Sequence, residues 1–87
     1  MRSFALPRFW HRYEALPEET KAQARRAFAL FCADPSHPGL RFKPLRGYEG
    51  YWSVRITLAY RAICRREGDA VFWFWIGSHA DFDRDFG

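Results

Sequence analysis

At Leu40 the spacing of apolar residues changes from a helical period of 3.6 to a strand period of 2, which splits the chain into a helical first part and a stranded remainder. Before that point Ala24, Ala27, Phe28 and Phe31 fall at i, i+3, i+4 and i+7, the stripe of a helix lying on a sheet. Leu16-Pro17-Glu18-Glu19 starts this helix, with proline in the first turn and two acids where the helix dipole favours negative charge. It runs to about Ala33, and Asp34 to Gly39 (DPSHPG) stops it in a turn. A shorter helix over 7–15 precedes it, with Pro7 in the first turn and Phe9, Trp10 and Tyr13 on one apolar face.

After Leu40 four strands are expected. The first, 40–46, alternates Leu40 and Phe42 with Arg41 and Lys43, and Pro44 puts it at a sheet edge or a bulge. The second, 51–58, sends Trp52, Val54, Ile56 and Leu58 to one face and Tyr51, Ser53, Arg55 and Thr57 to the other. The third, 60–66, places Arg61, Ile63 and Arg65 opposite Tyr60, Ala62 and Cys64. Glu67-Gly68-Asp69 has hairpin-turn chemistry, and 70–76 (AVFWFWI) is apolar on both faces, as a central strand covered on both sides would be. Trp73 and Trp75 share one parity there, which reads as core, with stacking on a ligand as the alternative. A short polar tail, GSHADFDRDFG, follows. The architecture expected is α+β: two N-terminal helices packed on a small, largely antiparallel four-stranded sheet with the second face partly open, in one domain over 1–87.

Charge is distributed unevenly over this plan. Residues 41–66 hold seven Lys or Arg and one acid, about +6, whereas the whole chain is +4. Twelve of the fourteen basic residues are Arg, whose guanidinium favours bidentate phosphate contact and base stacking. Such a local patch, interleaved with Tyr and Trp, points to a phosphate-rich partner. Lys21, Arg25 and Arg26 on the long helix are either a solvated face or an arm of this patch.

Other classes find little support. No apolar run approaches a membrane span, and MRSFALPRFWHR lacks a hydrophobic signal core, so a cytoplasmic protein with no membrane partner is expected. Cys32 and Cys64 lie in apolar segments without CxxC spacing and read as two buried free thiols. With His11, His37 and His79 scattered singly, no metal site is expected. His79, just past the last strand beside the arginine face, is the candidate for acid–base work.

The run GYWSVRI, then YRAIC, then WFWIGSHADFD resembles the RelE/ParE superfamily of bacterial toxins from type II toxin–antitoxin modules, closest to its ParE-like, or cytotoxic translational repressor, branch. The resemblance covers about residues 16–83 through LPEE, FKPL, YWSVRI, YRAI and IGSH. It implies one of two activities: metal-independent, cofactor-free cleavage of ribosome-associated mRNA by attack of the ribose 2′-hydroxyl, or binding of DNA gyrase without nuclease chemistry. A degenerate, non-toxic nucleic-acid binder is a third possibility. In the first two cases a cognate antitoxin is the partner. In the nuclease members the position of Arg61 contacts the scissile phosphate, and that of His79 protonates the leaving 5′-oxygen. Lys43 stands where YoeB-like members carry a general-base glutamate, and as a proton acceptor it would need its pKa depressed by its basic neighbours. Arg41, Arg46, Arg55 and Arg65 are expected on phosphate. Phe82, replacing a tyrosine common in the family, and Tyr51 are expected to stack, and Asp81 and Asp83 either orient the imidazole or simply solvate the tail.

Overall fold

A computed structural model describes all 87 residues. The elements run β1 (Arg2–Ala5), α1 (Pro7–Glu14), α2 (Glu18–Ala33), one turn of 3-10 helix (Pro38–Leu40), β2 (Lys43–Pro44), β3 (Tyr51–Arg55), β4 (Tyr60–Glu67), β5 (Ala70–Ser78) and α3 (His79–Phe86). The α+β class stands, but the sheet has five strands in the order β1-β5-β4-β3-β2, and there are three α-helices rather than two. The unexpected strand is β1. It pairs parallel to β5, Arg2 with Ala70 through Ala5 with Trp73, so β5 is interior. That position accounts for an apolar character on both faces that the last strand of a meander would not need.

α2 lays its stripe on one face. Ala24, Ala27 and Phe31 are buried there with Phe9 and Tyr13 of α1, and Val54, Ala62, Cys64, Val71, Trp73 and Ile76 rise from the sheet to meet them. Trp73 anchors this core, its ring meeting Phe28 and Phe31 edge-on at 5.0 and 5.3 Å. Trp10, expected on the same apolar face as Phe9 and Tyr13, is instead 49% exposed.

Three local expectations are corrected. The strand expected over 40–46 shrinks to Lys43–Pro44, because Leu40 ends the 3-10 turn and Arg41 adopts the left-handed region at φ 47°. Pro44 does sit on the edge strand, opposite Trp52. β3 stops at Arg55 rather than 58: Thr57 Oγ1 accepts hydrogen bonds from the backbone N–H of Ala59 and Tyr60 and so builds a turn in place of the ladder. Leu58, expected to pack, is 85% exposed on that turn. Finally, a register shift in β4–β5 pairs Ile63 with Trp75 but Cys64 with Trp73. The bulge breaks strict alternation and sends the two tryptophans to opposite faces.

The polar tail is α3. Ser78 caps it, its hydroxyl accepting from the Asp81 N–H at 3.1 Å. The helix packs on the face away from α2, where Phe82 and Phe86 meet the Trp75 ring at 6.1 and 5.3 Å. Tyr48 donates its hydroxyl to the Phe86 carbonyl. The second face is therefore partly roofed.

Candidate active site

A cleft of about 370 Å³ opens beside α3, lined by Arg41, Lys43, Ser53, Arg55, Thr57, Arg61 and His79, with Val54 and Leu58 as its apolar members. Each side chain arrives by a separate device. Lys43 comes from the edge strand, in register with Ser53. Arg41 is delivered by its left-handed turn, a conformation that costs a residue with a Cβ roughly 1 kcal/mol or more and is concentrated at functional sites. Arg55 and Arg61 face each other across the β3–β4 ladder. Like charges directly opposed destabilise a sheet, and no Asp or Glu lines the cleft to offset them. The complement of this cavity is an anion.

Arg61 is oriented by a ring rather than by a carboxylate. Its guanidinium lies 4.4 Å from the centroid of Phe82, a cation–π contact that restrains the side chain and leaves its charge uncancelled. The same ring stacks on His79, the planes 6° apart and the centroids 6.3 Å apart. His79 is the first residue of α3, its backbone N–H bonded to the Ala59 carbonyl at 2.8 Å. α3 therefore sets both the imidazole and the ring beneath Arg61.

Arg12, which sequence reasoning left aside, ties α1 into this frame. Its Nε donates to the Ile76 carbonyl at 2.8 Å, and its guanidinium lies 4.6 Å from the Trp75 ring and 3.8 Å from the Asp81 carboxylate. Gly77, opposite Arg61 on β5, leaves room for it: a Cβ there would stand 2.8 Å from both the Arg12 guanidinium and the Trp75 ring. The signal for Arg12 lay only in its pairing across the fold, which a single sequence does not display.

Of the residues singled out from sequence, the cleft brings together Arg41, Lys43, Arg55, Arg61 and His79, with Phe82 beneath two of them. Four others lie elsewhere. Arg65 shares the face of Arg61 but sits at the far end of β4, ion-paired to Glu67 at 3.1 Å. Arg46, on the turn after β2, does not line the cleft. Tyr51 pairs with Arg65 and stacks on Tyr48, supporting the aromatic layer under α3. Asp81 binds Arg84 at 3.2 Å and approaches Arg12, so its partners are guanidiniums rather than the His79 imidazole. Proximity in sequence misled there, because i and i+2 on a helix point apart.

Residues 18–84 match the family model of the ParE-like toxin domain. The chain belongs to that family, within the RelE/ParE toxin superfamily. The fold is similar to YafQ from E. coli strain BL21(DE3), at 15% identity and a TM-score of 0.76 over all of both chains. It is also similar to a chain of the RelB–RelE antitoxin–toxin complex from Methanococcus jannaschii, at 15% identity, TM-score 0.77, 97% of this chain and 99% of that one. A third likeness is to the YoeB/ParE toxin from Agrobacterium tumefaciens, at 22% identity, TM-score 0.68, 91% and 99% covered. No curated protein matches the sequence.

Proposed function

We propose that this chain is the toxin of a type II toxin–antitoxin pair and that it inhibits translation by cleaving mRNA, in association with the ribosome. The observation that carries the nuclease reading is the gathering of four basic side chains and His79 in one cleft without a carboxylate. An antitoxin partner is supported by neighbours in fold that are antitoxin–toxin complexes, among them DinJ–YafQ from E. coli.

In this reading the scissile phosphodiester sits against Arg61 and Arg55, with Arg41 at the rim. The ribose 2′-hydroxyl attacks the adjacent phosphorus and gives up its proton to Lys43, which must be neutral to take it. Arg61 and Arg55 stabilise the extra negative charge of the pentacoordinate transition state. His79 protonates the departing 5′-oxygen, leaving a 2′,3′-cyclic phosphate on one fragment and a 5′-hydroxyl on the other. The ring of Phe82 acts as a mount for Arg61 and His79 rather than as a platform for a base.

Induction of the wild type, Arg61→Ala and His79→Ala, with mRNA integrity and DNA supercoiling followed together, tests the proposal. Loss of transcripts should slow by about 10²–10³-fold for Arg61→Ala and by about 10²–10⁴-fold for His79→Ala. Intact transcripts with broken DNA would instead establish gyrase as the target and end the nuclease reading.

A further inference from the structure

A second groove, of about 330 Å³, runs beside the cleft between α2 and the β3–β4 turn, and Arg55 and Thr57 line both. Its other walls include Gln23, Arg26 and Leu30 of α2 and Ile56. We infer that this groove is a subsite for the nucleotide flanking the scissile bond, with Arg26 as its phosphate ligand. The inference rests on the ribonuclease reading and extends it from one phosphate to a track.

The three basic residues of α2 have different fates. Lys21 is ion-paired to Glu18 at 2.9 Å and Glu14 at 3.5 Å. Arg25 donates to the Tyr13 hydroxyl at 2.7 Å. Arg26 is exposed, has no ion-pair or hydrogen-bond partner, and lines a groove that contains no Asp or Glu. Neither arginine of α2 has a carboxylate partner, and Arg26 is the one whose charge faces this groove and is open there to an external anion.

The junction is suited to a polynucleotide. Thr57 Oγ1 already accepts two backbone N–H groups, so what its hydroxyl has left to offer is its own proton, a donor suited to a phosphate oxygen. Arg55, shared by both cavities, would contact the phosphate on either side of one nucleoside. Half-buried Leu30 and Ile56 give that nucleoside an apolar surface, and the Gln23 amide supplies a donor and an acceptor for a base edge. A single strand crossing the cleft and leaving past Arg55 meets the groove next. That continuity favours RNA over an acidic protein segment.

The test compares Arg26→Ala with wild type on fluorescein-labelled ribonucleotides of two lengths, a dinucleotide and a mixed-sequence decamer, measuring both binding and cleavage. Alanine is a strong helix former at an exposed site, so folding is retained. Decamer affinity should fall about tenfold and its dependence on log salt concentration should lose about one ion, while the dinucleotide is handled as by wild type. Equal loss on both lengths, or none on either, overturns the subsite. So does weakened capture by the antitoxin with unchanged RNA binding. Decamer binding that depends on Arg26, together with transcripts that stay intact on induction, would keep the subsite and remove the nuclease reading. Absence of decamer binding by the wild type would overturn the subsite, while loss of transcripts on induction would leave the nuclease reading standing.

Discussion

The two faces of this sheet are held by different chemistry. Under α2 the centre is apolar and closed, with Phe9, Phe31 and Trp73 almost wholly buried among small residues, and cations meet its rings at the margin, Arg66 over Trp52 and Phe42 and Lys21 near Tyr13. Under α3 the contacts are aromatic rings bearing cations, with Arg8 over Phe74, Arg12 over Trp75 and Arg61 over Phe82, and no residue of α3 is buried. A dry core cannot hold uncancelled guanidiniums. Ring faces can hold them at the border with water without neutralising them. The first face supplies stability, and the second holds Arg61 at the cleft with its charge uncancelled.

The largest contrast is in stability. Trp73→Ala, on the α2 face, should cost about 3–5 kcal/mol, read as a lowered urea midpoint. Phe86→Ala, on the half-buried α3 face, should cost about 1 kcal/mol and act chiefly on the cleft. Equal losses would show that both faces form one cooperative core.

A smaller effect concerns acid. The Trp75 indole N–H donates to Asp85 at 3.0 Å. That bond, ahead of the Arg84 and Arg12 charges, holds the Asp85 carboxyl below its usual range. Because the folded value is depressed, the stabilisation is complete above the unfolded-state pKa and disappears as pH falls through the folded one. On acidification α3 should leave Trp75 before the α2 face unfolds, giving a change in tryptophan emission without loss of far-ultraviolet sheet signal. Asp85→Asn should abolish that titration; an unchanged titration in the variant would assign it to another group.

The smallest effect separates the thiols. Burial pushes Cys64 up to about 12, so it stays protonated and unreactive at neutral pH, whereas Cys32 is exposed. A disulfide-exchange reagent should titrate one thiol quickly and the second only on unfolding. Two fast thiols would mean that the α2 face opens more readily than its packing implies.

Much of this was legible locally. The helical stripe of α2, the alternation around Trp52 and Val54 and the edge position of Pro44 follow from period and propensity. The both-sided apolarity of 70–76 even required a neighbour that a four-stranded meander lacked. β1 stayed hidden because parallel pairing joins residues far apart in sequence and leaves no local pattern in four residues. α3 stayed hidden because its inward face rests on Phe82 and Phe86 within a mostly charged segment.

By itself, then, the sequence determined the α+β class and the concentration of positive charge in residues 41–66, since composition and short-range periodicity are properties of neighbours in the chain, and its resemblance to a known family made Arg61 and His79 candidates. Tertiary structure alone decided which charges meet. A one-residue bulge sent Trp75 to the face of α3, a left-handed turn brought Arg41 to Lys43, and the ring of Phe82 oriented Arg61. Arg46 and Arg65, indistinguishable from the rest by sequence, were left outside the cleft. Side-chain direction depends on register and long-range packing, and neither is written in any single stretch of residues.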